Sequence, residues 1–69
     1  MEMTAVDLST MFHRLNNQLG IILANAELLE NRLSDEPHKL RAGQVVSSAL
    51  EAIETVRKLR QLADPAILA

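Results

Sequence analysis

The stretch of this 69-residue chain best equipped for chemistry is Phe12-His13-Arg14-Leu15-Asn16-Asn17-Gln18-Leu19, a histidine followed at three and four residues by paired asparagines. A neutral imidazole keeps a lone pair near neutral pH, since its unperturbed pKa is about 6.5. A phosphoryl group held on such a nitrogen is labile enough to be passed on, so His13 is a candidate phosphoryl carrier. Asn17, one helical turn further on, falls beside His13 on a helix surface, where its amide can orient a water. The other histidine, His38, follows Pro37 at a turn and reads as a surface or capping residue. A metal site shared by His13 and His38 is disfavoured, because they sit at opposite ends of one long helix.

The element carrying His13 is read from periodicity. Leu8, Phe12, Leu15, Leu19, Ile22, Ala26, Leu29 and Leu33 recur in alternating steps of four and three, a heptad seam that predicts helix 1 over about 4–33. Thr4 with Asp7 forms an imperfect capping box at its start. Ser34-Asp35-Glu36-Pro37 supplies turn formers, an N-cap in Asp35 and a proline suited to a first helical turn. Helix 2 follows over about 37–63, with Ala42, Val45, Val46, Ala49, Ala52, Ile53, Val56, Leu59 and Ala63 forming a face broad enough to touch two neighbours. Asp64-Pro65 is expected to end it. Glu54 and Lys58 are spaced as an ion pair, and Arg57, Lys58 and Arg60 read as helix-dipole partners in the last turns and a solvated face.

The expected fold is therefore all-α: an antiparallel two-helix hairpin forming a homodimeric four-helix bundle, with one domain over 1–69. A chain this short seldom buries enough apolar surface alone, and with no cysteine it has neither a disulfide nor a thiolate metal site to help. Self-association is the remaining device. A net charge of −2 and a single aromatic residue argue against a nucleic-acid surface. The apolar run Ile21-Ile22-Leu23-Ala24 is far shorter than the ~20 residues of a membrane span, and no signal peptide is apparent, so the expectation is a soluble cytoplasmic protein without membrane contact.

His13 is expected to project opposite the seam with Arg14, Asn17, Gly20, Ile21, Ala24 and Leu28. Gly20 costs a helix interior about 1 kcal/mol relative to alanine. With Ala24 it makes a strip that another helix could approach closely. Ile21 and Leu28 add apolar area where a solvated helix would carry charge, so Gly20, Ile21, Ala24 and Leu28 form a candidate docking groove.

At these residues the chain resembles the dimerisation and histidine-phosphotransfer domain of two-component sensor histidine kinases. The likeness is closest to members whose phosphoacceptor segment runs histidine, any two residues, Asn-Asn. The matching stretch, residues 12–29, covers about a quarter of the chain, and the hairpin plan nearly all of it. The resemblance implies that His13 is phosphorylated by an ATP-binding kinase domain, in cis or in trans, and hands the phosphoryl group to a receiver-domain aspartate of a response regulator. It implies that Asn17 orients a water for receiver dephosphorylation, and the candidate groove of Gly20, Ile21, Ala24 and Leu28 is then the expected docking surface for the receiver. Arg14 departs from the carboxylate that many members place after the histidine; it matches other subgroups, and its guanidinium can hold phosphate oxygens. Gln18 replaces a frequent proline, so no kink is expected after the site. The chain carries no glycine-rich phosphate loop, so ATP and magnesium are expected only in a kinase domain outside it, and no cofactor within it. The alternative expectation is a non-catalytic structural dimerisation hairpin.

Overall fold

A computed structural model describes the backbone of residues 4–67 and the side chains of residues 4–63. Among them are two α-helices and no strands: α1, Ala5–Arg32, and α2, Glu36–Ile67. They pack along one another as an antiparallel hairpin with extents of 49 × 18 × 17 Å. Local chemistry accounts for both starts. Thr4 accepts from the Asp7 backbone N–H at 3.0 Å, and Asp7 accepts from the Thr4 N–H at 3.2 Å, closing the capping box. Asp35 accepts from the His38 N–H at 3.3 Å, and the His38 ring turns back to the same carboxylate, so His38 serves the cap of α2.

Helix α2 does not stop at Asp64-Pro65 but runs on to Ile67. Proline deletes one N–H from the ladder, which a last turn tolerates better than an interior one, since few later residues depend on that turn. Helix α1 runs unbroken past Gln18.

Among the described residues the buried side chains are Phe12, Ala26, Ala42, Ala49 and Val56, and none of these is fully enclosed. Leu8, Asn16, Leu19, Leu23, Glu30 and Leu33 are half-buried between the helices. Asn16, Leu23 and Glu30 thus occupy seam positions, whereas Leu15, Ile22 and Leu29 of the expected seam stay 39%, 49% and 58% exposed. The heptad stripe of α1 is wider than one partner helix can cover. Its nearer half meets α2, and its further half stays open, as do Val45 and Leu59 of α2. Leu8, Met11, Phe12, Leu15, Gln18 and Leu59 line an apolar groove of about 280 Å³ along this side.

The exposed area is 5529 Å², where a compact chain of 7.6 kDa would show roughly 4300 Å². The radius of gyration is likewise 15.6 Å against about 11 Å for a compact domain of this length. No described helix is long and apolar enough to cross a membrane.

Candidate functional site

Phe12 points into the hairpin seam at 7% exposure, and that direction orients its neighbours. At about 100° per residue, His13 stands about a quarter-turn from the seam, exposed on one flank of α1. Gly20 and Ala24 share that flank, Asn17 lies slightly further out, and Ile21 and Leu28 fall on the back of the helix, all exposed. The expectation placed His13 opposite the seam. The difference arises because the expected seam was centred on the whole apolar stripe of α1, whereas α2 covers only the side nearer His13.

Gly20 has no packing role within the hairpin, since a Cβ added there would meet nothing within 4 Å. Gly43 differs: a Cβ there would lie 2.9 Å from Glu30 Oε2, so its missing side chain makes room for a carboxylate crossing from α1. That approach brings Glu30 to about the level of Gly43. Counting back along α1 and forward along α2 by equal steps brings Asn16 level with Arg57 and His13 level with Arg60, because both helices rise about 1.5 Å per residue.

A cleft of about 250 Å³ confirms that register, lined by Asn16 from α1 and by Ile53, Arg57 and Arg60 from α2. It opens on the His13 flank, away from the apolar groove. Arg14, next to His13 in sequence, lines the apolar groove instead. Helix α2 continues beyond the arginines and has no basic residue in its last turn, so Arg57 and Arg60 are not dipole partners at its end. Arg57 Nη1 donates to Glu54 Oε2 at 3.3 Å, both side chains exposed; the ion pair of Glu54 is with Arg57 rather than Lys58, three and four residues apart being alternative neighbours on a helix. Sequence reasoning missed Arg57 and Arg60 as neighbours of Asn16, and the signal that reveals them is the register across the turn.

A larger open hollow of about 720 Å³ at the turn end is lined by Glu30, Lys39, Gly43 and Ser47 among others. It lies about 25 Å along the hairpin from His13 at 1.5 Å per residue. Among the described residues no three histidine or acidic side chains gather to hold a metal ion. Compared with known proteins, the chain matches no family model, no curated protein and no solved structure.

Proposed function

We propose that this chain is a phosphoacceptor and dimerisation module of the two-component kind, a cytoplasmic homodimer that takes a phosphoryl group on His13 and passes it to a receiver-domain aspartate. The observation that carries this reading is the arrangement of two flanks: His13 is exposed on one, and the apolar groove runs along the other. A second hairpin can then cover Met11, Leu15, Ile22 and Leu59 while both His13 side chains stay open to a donor. The area in excess of a compact chain is on the order of 1200 Å², ample for the ~800 Å² per partner of a standard interface. Four helices packed about that face would make a bundle.

In the first step a lone pair on a His13 ring nitrogen forms a bond to phosphorus as the bond from phosphorus to the donor oxygen breaks. The donor leaves with that electron pair, and the ring gives up its proton to solvent. In the second step a receiver carboxylate oxygen attacks the same phosphorus, and the imidazole leaves and regains a proton. Asn17, four residues from His13, would orient the water that hydrolyses the aspartyl phosphate in the return reaction. Gly20, Ile21, Ala24 and Leu28 would form the surface on which the receiver docks. ATP and magnesium would be supplied by a separate kinase domain.

The test is incubation with a kinase domain and Mg-ATP, or with a phosphorylated receiver, followed by assay for acid-labile, base-stable phosphate. Incorporation is expected in the chain and absent in His13→Gln, whose exposed position carries no core packing. Equal phosphate in the variant would move the chemistry elsewhere, and none in either protein would favour the purely structural hairpin.

A further inference from the structure

The charged cleft beside His13 is not explained by dimerisation, since it opens on the flank away from the apolar groove, nor by the end of α2, which lies beyond it. Three polar side chains converge there from two helices. Asn16 is half-buried, Arg60 is half-buried, and Arg57 is held by one exposed ion pair with Glu54, an interaction easily exchanged for another anion. Ile53 lines the same cleft with apolar surface, which strengthens charge interactions at its mouth. Among the described side chains no carboxylate forms an ion pair with Arg60.

We propose that Arg60, with Arg57 and Asn16, forms an oxyanion-binding cleft that holds the phosphoryl oxygens carried by His13. The register sets His13 level with Arg60, and Asn16 is three residues from His13 on the same side of α1. Packed helices stand about 8–10 Å apart, a gap that a histidine-borne phosphoryl group and a guanidinium on its long stem can close from opposite sides. A guanidinium offers paired N–H donors matched to two phosphate oxygens, and the Asn16 amide adds another donor. Arg60 and Arg57 are positioning residues: they neither form nor break the bond to phosphorus but fix the group's orientation and partly neutralise its charge. Sequence adjacency would assign this role to Arg14, whose side chain instead lines the groove on the other flank.

The inference rests on His13 as phosphoacceptor, and its test is separable from that reading. Phosphoramidate can phosphorylate an imidazole without a kinase: its N–P bond breaks as the bond from the ring nitrogen to phosphorus forms, and the displaced nitrogen leaves as ammonia with the ring's proton. With His38→Gln as background, the phosphorus resonance of labelled His13 is followed through its second ionisation. Neighbouring cations favour the dianion, so the midpoint should rise by about half a pH unit in Arg57→Gln/Arg60→Gln and stay unchanged in Arg41→Gln. The Nε–H resonances of Arg57 and Arg60 should also move on phosphorylation. An unchanged midpoint in the double variant, with helicity retained, overturns the proposal. If His13 takes a phosphoryl group from phosphoramidate but from neither kinase domain nor receiver, the signalling reading fails and the midpoint still decides the cleft. If it takes none at all, titration of inorganic phosphate into the unmodified chain decides: joint movement of Asn16, Arg57 and Arg60 resonances retains the anion site, and no movement ends it.

Discussion

At the scale of single residues, Gly20 separates packing from docking. A glycine in a helix interior costs about 1 kcal/mol relative to alanine, and nothing in the hairpin occupies the space a side chain would need. Gly20→Ala should therefore stabilise the fold by up to about 1 kcal/mol, measured by chemical denaturation. Gly20→Leu should leave the fold intact and block phosphate exchange with a receiver. Unaltered exchange in the leucine variant would place the docking surface elsewhere. For Asn17, alanine substitution should preserve phosphate incorporation on His13 and remove receiver dephosphorylation. Loss of both together would point to a role in folding or in accepting the group.

The helices themselves start where short-range hydrogen bonds dictate. The Thr4 hydroxyl, and after it the Thr4 backbone N–H, hold the Asp7 carboxyl below its usual value. A carboxyl with a depressed folded-state pKa stabilises the fold above its unfolded value and loses that contribution as pH falls through the lower folded one. The first turn of α1 should therefore fray on acidification below about pH 4, where an unperturbed aspartate titrates. Amide exchange at residues 5–8 should show this, and Asp7→Asn should lose most of the dependence. At α2, Asp35→Ala should cost about 1 kcal/mol by removing the N-cap acceptor. Thr4, Asp7 and Asp35 were legible from sequence because each partner lies three residues away. The extension of α2 through Pro65 was not, since a proline near a helix end is permitted on either side of the boundary.

Considered as a whole molecule, the hairpin buries one phenylalanine, one valine and three alanines among the described residues, a small core for 69 residues. Sedimentation at micromolar concentration should give about twice the 7.6 kDa chain mass, with a melting temperature that rises with concentration. Ile22 and Ile53 make the sharper comparison. Ile53 is half-buried within the hairpin, whereas Ile22 is 49% exposed, so the proposed dimer would have to cover it. Truncation of either to alanine should cost on the order of 2–5 kcal/mol in the dimer. A stable 7.6 kDa monomer, or losses below about 0.5 kcal/mol at both positions, would reject the bundle.

The amino-acid sequence by itself determined two long helices, the turn between them, the caps and the apolar stripes, because a helix's hydrogen bonds and periodicity are settled within four residues. It also placed His13 and Asn17 on one exposed face for the same reason. Tertiary structure alone decided how the wide stripe of α1 divides, Asn16, Leu23 and Glu30 turning inward while Leu15, Ile22 and Leu29 remain outside. It likewise decided that Arg57 and Arg60, more than forty residues away in sequence, stand beside Asn16. Both outcomes depend on the rotation and register of two antiparallel helices, set jointly by the Leu33-Ser34-Asp35 turn and by packing such as Glu30 against Gly43. A slip of even one residue along α2 would turn every facing side chain by about 100°, and no pattern within a single helix records that choice.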